Sequence, residues 1–287
     1  MSLCQTFREL SYQTWIQLGK ARQVKHQMLE ESITDSLMVE LKLRHPYDVI
    51  TTTFTRHEEG KNGADWEWWF VDSTGTKGIG FRVQAKIINF KNDSFEQLHY
   101  KNQTNILINR AKKIKGLLIP PIARKLINPR KNLVIDRPLI PLYCLYIHDN
   151  NLWSKLHLGL SGIFLNHAIE HYGCSIMSAD DVLRLKKKPP KKKVSDVVNY
   201  IMPWHYLVCP PYSSTSVKSL PEKVRDSVVE HDLVEDFDKP YYGTLPFYVK
   251  DIMLRETENF IDKNDSRYES FNDLHGIMII KDNKDLV

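Results

Sequence analysis

The sequence predicts a single α/β domain with a mixed central sheet flanked by helices, ordered helix, three strands, helix, strand over residues 21–148. Three observations carry that expectation. Residues 21–44 show a helical apolar spacing, residues 64–88 hold two alternating segments joined by a glycine turn, and residues 139–148 form an apolar run. Residues 149–287 read as a C-terminal α/β elaboration of the same domain.

In residues 21–44 good helix formers dominate, and Leu29, Ile33, Leu37 and Leu41 recur every four residues. His45-Pro46 stops that helix, because the residue before a proline is pushed out of the α region. Residues 48–57, threonine-rich and β-branched, read as a strand, and residues 58–63 (EEGKNG) supply a turn.

The segments ADWEWWFVD (residues 64–72) and IGFRVQAKII (residues 79–88) then form a hairpin. A two-residue type II′ turn at Gly75-Thr76 sets Trp66 opposite Ala85, Trp68 opposite Val83 and Phe70 opposite Phe81, all on one apolar face. The other face carries Asp65 opposite Lys86 and Glu67 opposite Gln84. A one-residue slip would mix the two sets and bury charge. Trp66 and Trp68 therefore read as core, while Trp69 shares the polar face and stays open as core or as a base-stacking platform.

Residues 93–115 resume helical spacing through Phe95, Leu98, Ile106, Ala111 and Ile114, and residues 139–148 (LIPLYCLYIH) read as a buried strand. Further on, helices are expected near residues 161–171, 220–233 and 246–260, and strands at 173–177 and 204–209.

Composition bounds the function. With 42% apolar and 26% charged residues over 287 positions the chain is globular. No apolar run reaches the ~18 residues of a membrane span, and the N-terminus lacks a secretory pattern, so a cytoplasmic protein is expected. Cys4, Cys144, Cys174 and Cys209 stand far apart and read as free thiols in a reducing compartment. The net charge of +5 is uneven: basic residues cluster at 110–115, 124–131 and 186–193. Such runs suit a polyanion, and the last, KKKPPKKK with Lys191, Lys192 and Lys193, reads as an exposed nucleic-acid-binding loop. The histidines show no zinc spacing, and no phosphate-binding glycine loop or nucleophile elbow occurs.

A carboxylate on one strand with polar-x-Lys on its neighbour is what phosphodiester hydrolysis needs: oxygen ligands for a hard cation, and an ammonium for the water or the developing charge. Gly63-Ala64-Asp65 followed by Gln84-Ala85-Lys86, in this helix and strand order, resembles the PD-(D/E)XK nuclease superfamily, and the Gln-x-Lys variant resembles the Mrr-type restriction endonucleases. The resemblance covers residues 21–148 and implies a restriction-endonuclease-like αβββαβ core. It implies Mg²⁺, or Mn²⁺ in its place, and DNA cleavage in restriction or anti-phage defence, with no membrane and with a homodimer open to it. By position Asp65 becomes the main metal ligand, Gln84 the second, and Lys86 the catalytic lysine. Such proteins often carry a glutamate on the first helix, for which Glu31 or Glu30 is available; Asp35 shares the Glu31 face. Gln84 is a departure, since a neutral amide gives a metal less charge, and Glu67 could supply the deficit. Gln103 interrupts the apolar stripe of the second helix, either facing the site or sitting at a core margin. The rival expectation is a catalytically silent nucleic-acid- or partner-binding module on the same fold.

Overall fold

The computed structural model describes residues 1–54, 66–111, 139–156, 168–209, 218–234, 242–255, 260–261 and 274–283. The chain opens with a helix the sequence reading did not expect, α1 (Leu3–Gln23), started by a capping box between Ser2 and Gln5. The single helix expected over residues 21–44 is two pieces. Lys25 takes a positive φ of 56° and ends α1, and α2 (Glu30–Arg44) begins after it. His45 caps α2 immediately before Pro46, as expected.

The strands β1 (Val49–Phe54), β2 (Trp66–Val71) and β3 (Lys77–Ile87) follow, then α3 (Gln103–Ala111) and β4 (Ile140–Tyr146). Helix α3 starts ten residues later than the spacing suggested. Asp93 and Lys101 hold positive φ and interrupt a helix there, although Phe95 and Leu98 are still fully buried. After a short α4 (Leu152–Lys155) comes a 3-10 turn at Ile169–Gly173; the helix expected near 161–171 falls mostly on residues 161–167, which lie outside the described ones.

Then come β5 (Cys174–Ser178), α5 (Ala179–Leu185), α6 (Val194–Val197), β6 (Met202–Pro203), α7 (Leu220–Glu230), β7 (Tyr242–Thr244), α8 (Phe247–Leu254), β8 (Phe260–Ile261) and β9 (Gly276–Lys281). Residues 204–209, expected as a strand, begin with a 3-10 turn at Trp204–Leu207. The Trp204 indole N–H there donates 2.7 Å to Phe7 O, and the ring packs against Phe7 and Trp68, so burial rather than pairing fixes it.

Among the described residues the strands make one mixed nine-stranded sheet in the order β6-β5-β4-β3-β2-β9-β1-β8, with β7 also on β3. Strands β2 and β3 are antiparallel, β3 and β4 parallel. Strand β9 enters between β1 and β2, antiparallel to the first and parallel to the second. The end of the chain thus completes the centre of the sheet rather than elaborating a core closed by residue 148.

Helices cover both faces. Phe7 and Leu10 of α1, Ile33 and Leu37 of α2 and Val224 of α7 pack with Trp66, Trp68, Phe81 and Tyr146. On the other face Leu107 of α3, Val182 of α5 and Tyr248 of α8 pack with Trp69, Tyr143 and Ile279. Odd and even strand positions separate cleanly, as the two-residue period demands.

The hairpin keeps the expected faces but not the expected register. Trp66 pairs with Val83, Glu67 with Arg82 and Trp68 with Phe81, a shift of two residues. The loop is longer than a type II′ turn because Asp72 organises it: its Oδ1 accepts the N–H groups of Thr76 (2.8 Å) and Lys77 (3.2 Å). Burial alone would raise the Asp72 carboxyl, but these bonds outweigh it and hold the group below the usual range. Gly75 supplies the left-handed residue at φ 69°.

Cys4 and Cys209 correct the thiol expectation: they form a disulfide that ties the start of α1 to the segment after Trp204. Cys144 and Cys174 are free and buried. Among the described residues no helix is long and apolar enough to cross a membrane.

Candidate functional site

Strand β3 ends by delivering Lys86 into a nearly closed position. Among the described residues β2 pairing begins at Trp66 with Val83, so residues 84–87 have only β4 beside them. Alternation starts the Lys86 side chain on the Trp69 side, yet its Nζ lies 3.1 Å from Oε1 of Glu30, the first residue of α2 on the opposite layer. The ammonium therefore sits at the end of the sheet, between layers, in a residue 2% exposed. Thr34 fixes that helix end: its hydroxyl bonds Glu30 O (2.9 Å) and the Tyr146 hydroxyl (2.7 Å) on β4.

Beside the pair is a shallow cleft of about 40 Å³ lined by Glu30, Glu31, Thr34, Asp35, Trp66, Ala85 and His275. It is far smaller than ligand pockets, which run from ~300 Å³ upward, and has room for a water or one small charged group. His275 Nε2 lies 3.1 Å from Asp35 Oδ1, and its ring packs on the Trp66 indole at 5.5 Å between centroids. The next residue must be glycine, since a Cβ on Gly276 would come 2.7 Å from both the Trp66 ring and Thr52 O.

The expected site residues divide. Lys86, Glu30 and Glu31 come together at this cleft, and Glu30 rather than Glu31 holds the lysine. Asp65 lies outside the described residues. Gln84, 2% exposed, donates 3.4 Å to Ala85 O and is paired in register with Tyr143, whose hydroxyl meets Thr104 Oγ1 at 2.9 Å. Gln103, the first residue of α3, has a buried Oε1 without a hydrogen-bond partner among the described residues.

Glu67 does not reach the cleft. Its fully buried carboxylate accepts from the Trp69 indole (2.7 Å), from Arg82 Nε (3.3 Å) and from the Tyr248 hydroxyl. Burial and then the Glu67 charge push the Tyr248 phenol well above its usual range, so the bond persists at any physiological pH. Glu67 is a core ion pair, and Trp69 is part of it rather than a stacking platform.

The basic loop is mounted, not loose. Phe95 N–H donates to Lys192 O (2.8 Å), His99 Nε2 meets Lys191 O (2.7 Å), and Lys193 N–H donates to Asp196 Oδ2 (3.0 Å). Lys192 is committed to Glu96, whereas Lys187, Lys188, Lys191 and Lys193 are exposed. This loop is bonded to the segment that leaves β3, which places it toward the Lys86 end of the sheet. Residues 112–138, with most of the other two basic clusters, lie outside the described residues.

His275 and the partnership of Asp35 with it were missed. The readable signal was the apolar, β-branched run at residues 276–281, which marks a buried strand and makes the polar residue just before it a rim position.

The donors at the cleft are carboxylate oxygens, which suit a hard divalent cation. Among the described residues, however, no group of three His, Cys, Asp or Glu side chains could hold one.

Fold and site together define an α/β protein whose mixed sheet carries, at one end, a buried lysine–glutamate pair beside an acidic cleft. The chain belongs to a family of unknown function (DUF6615), whose profile matches residues 3–285. No curated protein and no solved structure matches it.

Proposed function

We propose that the cleft at the end of β3 is the active centre of a metal-dependent phosphodiester hydrolase acting on DNA, in the manner of the PD-(D/E)XK nucleases. The observation that carries the reading is the convergence of Lys86 with Glu30 beside the cleft: two positions far apart in sequence, both offered by the one resemblance, Glu30 as the alternative to Glu31, meet at 3.1 Å. Bound Mg²⁺ or Mn²⁺ would polarise the phosphate and acidify a water; Asp65 and Glu31 would hold it, with Gln84 at the second-ligand position. Lys86, held by Glu30, stabilises the negative charge that grows on the phosphate oxygens. Lys187, Lys188, Lys191 and Lys193 neutralise the backbone of the strand. Restriction or anti-phage defence is the setting proposed.

The second reading, a silent binding module, is favoured by one observation: Glu67, the acid that could offset the neutral Gln84, is consumed in the core. The assay is incubation with plasmid, linear and single-stranded DNA, with and without Mg²⁺ or Mn²⁺. The hydrolase cleaves only with metal, and Lys86→Ala abolishes cleavage while DNA binding persists. If the wild type is inert throughout and Gln84→Glu alone switches cleavage on, the module is a silenced nuclease. If neither cleaves, the hydrolase reading is wrong.

A further inference from the structure

We propose that the outer face of α2 binds a second copy of this chain, the two α2 helices lying antiparallel across a two-fold axis; the proposal is independent of the hydrolase reading. The case begins with apolar side chains that the fold leaves outside. Leu29, the first of the four apolar positions spaced by four, is 67% exposed at the N-cap of α2. Val39 is 57% exposed, Leu43 69% and Tyr47 87%. Ser32, Ser36, Val39 and Leu43 follow one another at spacings of four, three and four, which sets them in one line along a helix. Leu29 precedes that line and Tyr47 follows it, each just beyond a helix end. The inward face is complete without them, since Ile33, Leu37, Met38 and Leu41 already fill the layer beneath.

Shape and charge together name the occupant. The stripe is bulky over its second half and small over its first. Counted about its midpoint, between Leu37 and Met38, an antiparallel copy sets Val39 against the partner's Ser36, Leu43 against the partner's Ser32 and Tyr47 toward the partner's Leu29. Each large side chain thus meets a small one or another apolar group, and the two-fold repeats every contact. Beside the stripe, on one flank, stand Asp35 and Lys42, seven residues apart. An antiparallel copy brings each Asp35 to the other's Lys42, whereas a parallel copy would set like charges together. Asp35 stays 50% exposed even beside His275. The acidic first turn and basic last turn of α2 make the same choice, as do the helix dipoles. Helix α1 widens the face: Thr6 meets His45 at 2.8 Å and Glu9 meets Arg44 at 2.8 Å, which sets the exposed Tyr12 and Ile16 in the same layer. Two helices a side approach the ~800 Å² per partner of a standard interface, so a dimer of about micromolar affinity is expected.

The test is sedimentation equilibrium of the full chain over roughly 1–200 μM, with thermal melting to show that each variant is folded. Wild type should pass from monomer to dimer across that range. Leu43→Glu, at an exposed position, should melt like wild type and raise the dimer Kd by ~10²-fold or more, because it sets a carboxylate in the apolar stripe. Val39→Glu is the companion variant should Leu43→Glu melt low. At low salt Asp35→Lys should raise Kd about tenfold, and adding Lys42→Asp should bring it back to within about threefold of wild type. A local role for either charge within one chain gives no such rescue. A wild type that stays monomeric at the highest concentration overturns the proposal and leaves the face to a different partner. A dimer unmoved by both glutamate variants forms through another surface and overturns it equally. A charge swap without rescue overturns the antiparallel pairing.

Discussion

Removing Glu30 should cost more than removing Lys86, although the two form one ion pair. The Lys86 side chain is 3% exposed and that of Glu30 24%. Glu30→Ala leaves an ammonium buried in a position built for a carboxylate, and breaking a buried pair from one side costs ~3–5 kcal/mol. Because Glu30 lines the cleft and is itself partly exposed, the pair is not fully desolvated, and about 2–4 kcal/mol is expected here. Lys86→Met is different: the buried charge disappears, an apolar chain of similar length fills its space, and the partly exposed Glu30 rehydrates. That change should cost about 0–1 kcal/mol. The double variant should lie close to Lys86→Met alone, giving a coupling of about 2–4 kcal/mol. Urea unfolding at pH 7 measures all four chains, with constant m as the check that the same transition is followed. If Lys86→Met is the more destabilising of the two, the ammonium is not held where the structure puts it. The lysine could not then be the charge at the centre.

Four further outcomes can be measured. Trp68→Ala, which empties a site 2% exposed against Trp204, should cost ~3–5 kcal/mol in the same unfolding assay, and an unchanged melt would mean the sheet faces are misassigned. Thiol titration of the denatured, unreduced chain should find Cys144 and Cys174 only, and all four cysteines after reduction; four at the outset would dismiss the Cys4–Cys209 bond. The Glu96 carboxyl is depressed to about 2, first by Lys192 and then by Ser94 and Asn92. Its folded value lies below its unfolded value, so its stabilisation is complete above the usual carboxylate range and fades as pH falls toward 2, and a carboxyl-carbon titration midpoint above 4 would refute the pairing. Replacing Lys187, Lys188, Lys191 and Lys193 by Ala should reduce the salt slope of DNA binding by about 0.9 per lost phosphate contact on duplex DNA. An unchanged slope would remove the loop from the interface.

What could be read in advance was whatever depends on parity and local chemistry. Trp66 and Trp68 face one layer and Glu67 and Gln84 the other because side chains alternate, and a two-residue error in register leaves alternation untouched. The register itself escaped because the glycine at 75 fits two turns, and the deciding group, the Asp72 carboxylate, acts through hydrogen bonds to Thr76 and Lys77. Helix α1 was legible and overlooked: Ser2 with Gln5 is a capping box, and Phe7, Leu10, Thr14 and Leu18 line one buried face. Helix α3 was placed too early because Phe95 and Leu98 are core residues held by turns rather than by helix. At the site, Lys86 and a glutamate on the first helix came from the resemblance, which left Glu31 and Glu30 both open; the structure sets Glu30 on the lysine. His275 had no such pointer, because its place depends on β9 pairing with strands two hundred residues upstream in the chain's middle and early parts. No local period records such a pairing.

Because β9 lies between β1 and β2, the sheet cannot close until a ribosome has passed residues 276–281. Until residues 276–281 emerge, β1 and β2 wait with open inner edges, the kind of edge that recruits foreign strands. His275 arrives immediately ahead of that strand, joining Asp35 and Trp66 only as the last gap is filled. A nascent or truncated product that lacks β9 is thus an incomplete sheet with an incomplete cleft.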